Sequence, residues 1–159
     1  MAIELLDGAM GTELINHGVK LPKYIWSAES NLKNPALVYK IHREYIKKGV
    51  HYITSNTFRT TPRAYKKIGL KNDEAEEMAF KSFKSAIELA KKAANHKVKI
   101  LGSIAPLEDC YMPKLFPGIK NAQKEFSQIG KWMYNEEIDI FLLETMNNIS
   151  ETEQNTEFG

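Results

Sequence analysis

The stretch Val98-Lys99-Ile100-Leu101-Gly102-Ser103-Ile104-Ala105-Pro106 sets the expected fold of this chain. A short run of branched apolar residues that ends at a proline is typical of a buried β-strand followed by a turn. Three other runs have the same form and end in polar turn residues: Ile3–Leu6 before Asp7-Gly8, His51–Ser55 before Asn56-Thr57, and Ile138–Leu143 before Glu144-Thr145. The sequence therefore predicts four strands.

Longer segments with helical periodicity separate these runs. Asn34-Pro35 is an N-cap followed by proline at the first helical position, and the helix Ala36–Lys48 is expected to stop at Gly49. Further helices are predicted over Thr61–Ile68, Asp73–Asn95 and Asn121–Glu136, and the longest of them opens with a capping box formed by Asp73 and Glu76. Regular alternation of strand and helix predicts an α/β fold built on a parallel sheet or barrel.

Composition excludes several classes of protein. The chain has 159 residues and a net charge of +2, with 43% hydrophobic and 26% charged residues, as expected for one globular domain. Its only arginines are Arg43, Arg59 and Arg63, and its lysines are spread along the chain, so no nucleic-acid partner is expected. No apolar run of about 18 residues and no basic leader are visible, which predicts no membrane partner and a cytoplasmic location. The single cysteine, Cys110, excludes an intrachain disulfide framework and a multi-cysteine zinc module.

Polar residues collect where the four predicted strands end, and in parallel α/β folds sites form at these ends. They are Asp7, Asn56, Thr57, Ser103, Glu144 and Thr145. The carboxylates of Asp7 and Glu144 could hold a ligand ammonium group or act as acid and base. The alternative is that Asp7 caps the turn before Gly8 and that Glu144 caps the following helix.

Other candidate residues carry weaker signals. The turn from Gly8 to Thr12 lacks the spacing of a phosphate loop, and it either brings backbone close to a ligand or is an ordinary βα loop. Trp26 either lines a pocket or covers the end of the barrel. The four histidines show no metal-ligand spacing, and His42 is expected at the surface or boundary of its helix.

Six segments, taken in order, resemble the signature of the homocysteine S-methyltransferase family. They are Leu6–Leu14, Trp26-Ser27-Ala28 with Asn34-Pro35, His42-x-x-Tyr45 with Gly49, Ile53–Phe58 with Gly69-Leu70, Gly102–Pro106, and Glu144-Thr145. The resemblance covers about residues 3–151. Each segment is short, but six in the same order are specific.

The resemblance implies a (β/α)8 barrel that transfers a methyl group from a small-molecule donor, such as S-methylmethionine, to homocysteine to give methionine. In the family, a zinc ion held by three cysteines binds the homocysteine sulfur and favours the thiolate, which is the nucleophilic form. The matched positions imply that Asp7 and Glu144 hold the substrate amino group, and that Gly8, Asn56, Thr57 and Ser103 belong to the same substrate site. They also imply a methyl-donor pocket formed by Trp26 and Phe58, where a sulfonium donor would make a cation–π contact.

The family pattern extends beyond the residues of this chain. The zinc cysteines of the family lie near its sixth and eighth strands, and Cys110 follows the third predicted strand, so no metal ligand is expected in this chain. Residues 1–159 are therefore interpreted as the N-terminal half of an incomplete barrel, with about four βα units and without catalytic activity of its own. Two alternatives stay open: a stand-alone amino-acid-binding module, and a half-barrel that self-associates through its open sheet edges.

Overall fold

A computed structural model describes residues 3–154, and a three-stranded parallel sheet organises it. The strands are β1 (Tyr52–Thr54), β2 (Lys99–Ile104) and β3 (Ile140–Leu143), in the order β1-β2-β3. The register pairs Thr54 with Leu101 and Ile104 with Leu143. Because all pairs are parallel, the carboxyl ends of the strands meet at one edge of the sheet, as predicted.

Seven α-helices accompany this sheet within residues 3–154. They are α1 (Met10–Asn16), α2 (Ser30–Lys33), α3 (Pro35–Lys47), α4 (Pro62–Lys66), α5 (Asn72–Ala94), α6 (Ile119–Asn135) and α7 (Ile149–Glu153). Short 3-10 turns cover Trp26–Glu29 and Pro113–Leu115. The largest apolar cluster lies between α5, α6 and the sheet, and its members include Phe83, Ile87, Ile104, Phe126 and Met133.

Two helix termini show how well local signals predict helices. Asn34 and Pro35 begin α3 as predicted, and Gly49 follows its end with a φ of 89°, a conformation that glycine adopts without strain. The capping box predicted for α5 is wrong. The helix begins earlier, and the backbone N–H of Lys71 donates to Glu74 Oε2 at 3.3 Å.

The first predicted strand, Ile3–Leu6, is not a regular strand. It forms one isolated parallel bridge, between Leu6 and Tyr52, and Leu5 O accepts a hydrogen bond from His51 N at 2.8 Å. The predicted burial is also wrong, since Ile3, Leu5 and Leu6 are 83%, 49% and 46% exposed. Among the described residues this segment pairs with β1 alone, so nothing covers its apolar side chains from the other side.

His42 was expected at the surface or boundary of its helix, and it is instead fully buried in α3. Neither ring nitrogen has a hydrogen-bond partner among the described residues. Burial without a partner disfavours the charged imidazolium and lowers the pKa of His42 to about 4.

In residues 3–154, no helix is long and apolar enough to cross a membrane.

Candidate substrate-binding site

Asp7 lies beside the carboxyl end of β1 and is fixed there by Thr54. Its Oδ2 accepts the Thr54 backbone N–H at 2.9 Å, and its Oδ1 accepts the Thr54 hydroxyl at 2.8 Å. Asp7 N in turn donates to Tyr52 O at 3.1 Å. The carboxylate is therefore oriented by the neighbouring strand, 47 residues away in sequence.

Glu144 follows β3 and is oriented by β2. Its Oε1 accepts a hydrogen bond from the Ser103 hydroxyl, and its backbone N–H donates to Ile104 O at 2.9 Å. The alternative in which Glu144 caps the next helix is wrong. The N-cap of α7 is Asn148, whose side-chain oxygen accepts from Glu151 N at 3.1 Å.

Both carboxyl groups have raised pKa values, mainly because they are partly buried. Burial, and to a lesser extent the charge of Glu144, raises the pKa of Asp7 to about 6, although the hydrogen bonds from Thr54 oppose the shift. Burial also raises the pKa of Glu144. Two partly buried carboxylates that repel each other are stabilised by a cation placed between them. The edge of the sheet therefore has the electrostatics of a site for a small cationic group.

Two glycines after Asp7, Gly8 in the loop and Gly11 in the first turn of α1, lie so close to aromatic side chains that a Cβ would force the rings to shift. A Cβ at Gly8 would lie 2.6 Å from Tyr45 Oη, and a Cβ at Gly11 would lie 2.6 Å from Trp26 Nε1. This favours the close-approach interpretation of the loop. The Tyr45 hydroxyl thus lies beside Gly8, and burial together with the charges of Glu13 and Asp7 raises its pKa.

Tyr45 is the site residue whose position the sequence did not reveal. Its place on the apolar stripe of α3 is typical of a core residue. What marks Tyr45 as a site residue is the contact between its hydroxyl and the glycine loop. No rule of sequence spacing encodes such a contact.

Two of the five described non-glycine residues with a positive φ lie near this site. Trp26 has a φ of 44° and Thr145 a φ of 52°, both in the left-handed region that non-glycine residues rarely adopt. Strained residues of this kind cluster at functional sites, where the surrounding structure enforces them. Trp26 is also 40% exposed, and so presents an aromatic surface to solvent.

A closed chain of hydroxyl groups lies behind Glu144. Thr57 Oγ1 donates to Ser103 O at 2.7 Å, so the 2.9 Å contact between Ser55 Oγ and Thr57 Oγ1 has Ser55 as its donor. Ser55 Oγ accepts from Ser103 N at 3.2 Å. The Thr57 hydroxyl therefore makes its hydrogen bonds within this chain of groups, whereas the Ser103 hydroxyl donates to Glu144.

The remaining predicted site residues have other surroundings. Asn56 is buried, and its amide nitrogen donates to Ser27 O at 2.9 Å and to Asn31 Oδ1 at 2.7 Å. Phe58 is half-buried, and the Arg59 guanidinium carbon lies 5.2 Å from the centre of its ring. The structure thus brings Asp7, Gly8, Ser103 and Glu144 to one edge and directs the Asn56 amide nitrogen toward the segment after Trp26.

The described residues do not fit a zinc ion. Within residues 3–154, no group of three or more His, Cys, Asp or Glu side chains could hold a metal. Cys110 is half-buried in the loop after β2. Catalytic zinc sites use three protein ligands, and one thiolate does not supply them.

The fold and site define an α/β protein whose parallel strands end at a pair of carboxylates. The sequence profile of the homocysteine S-methyltransferase family matches residues 4–157, and the chain belongs to this family. The "Homocysteine S-methyltransferase" of Escherichia coli K12 is 37% identical over 91 residues, which cover 57% of this chain and 28% of that protein. "Homocysteine S-methyltransferase 2" of Arabidopsis thaliana is 26% identical over 110 residues, or 69% of this chain and 32% of that protein.

A solved structure shares the fold. The homocysteine methyltransferase MmuM of Escherichia coli, in its metallated form, superposes with a TM-score of 0.82 at 27% sequence identity. The superposition covers 96% of this chain and 57% of MmuM. The chain thus spans little more than half of this structure, and its matches span a third or less of these two curated relatives.

Proposed function

We propose that this chain forms the amino-acid-binding part of a homocysteine S-methyltransferase, in which Asp7 and Glu144 hold the α-ammonium group of homocysteine. The observation that carries the proposal is the pair of partly buried carboxylates with raised pKa values at the ends of parallel strands. An ammonium group between them would relieve their repulsion and donate hydrogen bonds to both carboxylates. Thr54 and Ser103 orient the two carboxylates and leave a second lone pair on each oxygen for the ligand.

Gly8 and Tyr45 would form the wall next to the ammonium site. Since a side chain at Gly8 would collide with Tyr45, the bare backbone of this loop can approach the amino acid directly. We propose that the rest of homocysteine lies along this loop, with Tyr45 facing its polar end.

The proposed methyl donor is a sulfonium compound of the S-methylmethionine type, bound against Trp26 and Phe58. A sulfonium cation is attracted to the face of an aromatic ring, and indole gives the strongest attraction. In the transfer itself, the homocysteine thiol gives up its proton to solvent, its sulfur forms a bond to the methyl carbon, and the donor sulfur keeps the electron pair of the bond that breaks. The described residues offer no group of three metal ligands, so for this chain the proposal extends to the binding of both substrates and not to turnover.

We also propose that the sheet is part of a (β/α)8 barrel. The likeness to MmuM and the parallel β1-β2-β3 order support this. Self-association through the open sheet edges stays a prediction. It would use exposed apolar residues such as Leu5, Leu6 and Ile140, and sedimentation velocity would detect it as a concentration-dependent increase in mass.

Calorimetric titration of the chain with L-homocysteine tests the proposed ammonium site. The variants Asp7→Asn and Glu144→Gln keep the size of each side chain but remove its charge, and each should weaken binding by about 10- to 100-fold, the worth of one charged hydrogen bond. Asp139→Asn, at an exposed aspartate before β3, is the matched control. Binding that is unaffected by either site variant would overturn the proposal. Binding with no preference for homocysteine over other amino acids would instead favour a general amino-acid-binding module.

A further inference from the structure

The segment that follows Trp26 is tied to the end of β1 by two buried asparagines. Asn56 Nδ2 donates to Ser27 O at 2.9 Å and to Asn31 Oδ1 at 2.7 Å. In the opposite direction, Asn31 Nδ2 donates to Asn56 O at 2.9 Å. The two side chains thus lock residues 27–31 to the strand end that carries the candidate site.

A serine of α5 completes the connection. Asn31 Nδ2 donates its second hydrogen to Ser82 Oγ at 3.1 Å, and the Ser82 hydroxyl donates to Ala28 O at 2.8 Å. Asn31, Asn56 and Ser82 are 1%, 3% and 0% exposed. We call these three side chains, Asn31, Asn56 and Ser82, the amide latch. All four of their amide hydrogens and the one hydroxyl hydrogen have acceptors. A buried network that is satisfied in this way is rigid, because any rotation would leave a polar group unpaired.

Trp26 needs such support. Its φ of 44° is unfavourable for a residue with a side chain, and its ring edge contacts the bare backbone at Gly11. The amide latch holds the carbonyls of the two residues that follow Trp26, Ser27 and Ala28. The ring is therefore fixed on one side by the loop after Asp7 and on the other side by the latch.

We propose that Asn31, Asn56 and Ser82 are positioning residues that hold the indole of Trp26 where a sulfonium methyl donor binds. The proposal rests on the function proposed above, in which Trp26 contacts the donor. It assigns Asn56 a role through Trp26 and not through contact with homocysteine. It also predicts that Asn31 and Ser82, which no strand-end motif includes, affect donor binding.

Fluorescence of Trp26 tests the positioning without any ligand. The chain has two tryptophans, so Trp132→Phe leaves Trp26 as the only indole. In this background, Asn31→Ala should add a nanosecond depolarisation to the anisotropy decay of Trp26, because the released segment moves on that timescale. Asn34→Ala is the matched control, since Asn34 lies three residues further on, is exposed and makes no side-chain capping bond.

The other tryptophan separates a local effect from general loosening. In a Trp26→Phe background, Asn31→Ala should leave the decay of Trp132 unchanged. If Trp26 stays rigid in the Asn31 variant, or if both indoles loosen equally, the positioning role is wrong. Should the Asn31 variant fail to fold, Ser82→Ala removes fewer bonds of the same latch, and the same two outcomes apply to it.

Titration with S-methyl-L-methionine then separates the two proposals. Asn31→Ala should weaken binding by about tenfold while Asn34→Ala leaves it unchanged. If Trp26→Leu does not alter the affinity, the proposed donor site fails, and the anisotropy result still decides whether the latch positions Trp26. If Trp26→Leu weakens binding and Asn31→Ala does not, the donor site stands and the latch proposal is overturned.

Discussion

Replacing Asp7 by asparagine should stabilise the fold at neutral pH, although it removes a proposed ligand-binding charge. The pKa of Asp7 is raised from 3.8 to about 6, mainly by burial. The folded state therefore prefers the protonated form, and ionisation of Asp7 costs stability. This cost is absent below pH 3.8, grows as the pH rises toward 6, and is complete above that value.

The size of the effect follows from the shift. A pKa difference of about two units corresponds to about 3 kcal/mol. The carboxyl is only partly buried and solvent screens its charge, so we take about half of this value. Asparagine has one acceptor oxygen where the carboxylate uses two for Thr54, which offsets up to about 1 kcal/mol. We expect a net gain of about 1 kcal/mol at pH 7.5, and a neutral or unfavourable change at pH 4.

Urea unfolding of the wild type and of Asp7→Asn at pH 4 and pH 7.5 measures this. The difference between the two proteins at each pH cancels the contribution of titrating groups that do not interact with Asp7. Asp139→Asn serves as the control and should show no change in this difference between the two pH values. An Asp7 variant that is less stable than the wild type at pH 7.5 would refute the account of a strained, desolvated carboxylate.

Three further predictions concern the surroundings of the site. His42 should contribute a loss of about 3 kcal/mol to the stability of the wild type as the pH falls from 6.5 to 4, because the unfolded chain protonates His42 before the folded one does. In thermal unfolding, His42→Leu should remove this contribution, and His96→Asn at an exposed histidine should not. Gly8→Ala should cost about 1–3 kcal/mol of unfolding free energy by overpacking against Tyr45. Adding Tyr45→Phe should recover part of that cost, and a purely additive double variant would contradict the contact. Thr57→Val should cost about 1–3 kcal/mol by leaving a buried carbonyl of β2 without its donor, and unchanged stability in chemical denaturation would argue against the hydroxyl chain.

Local patterns predicted the elements whose causes are local. The branched run before Pro106 is β2, and Asn34 with Pro35 begins α3. The segment Ile3–Leu6 has the same apolar composition as a buried strand, yet it is exposed, because burial depends on a neighbour that composition does not specify.

The site was predictable where it follows strand ends, and less so where contacts join distant parts of the chain. The positions of Asp7 and Glu144 follow from the parallel strand order. Asn56 has the same placement in the sequence, but its amide nitrogen is turned toward Asn31, 25 residues earlier. That choice depends on the packing of residues 27–31 against α5, which no strand-end pattern contains.

The measurement that tests the central claim most directly is the affinity of this chain at pH 7.5 for L-homocysteine and for 4-mercaptobutanoate, which lacks only the amino group. If Asp7 and Glu144 hold the ammonium, homocysteine should bind at least about tenfold more tightly, as one charged hydrogen-bonded contact requires. Equal affinities for the two compounds would contradict the assignment of this carboxylate pair as the amino-group site.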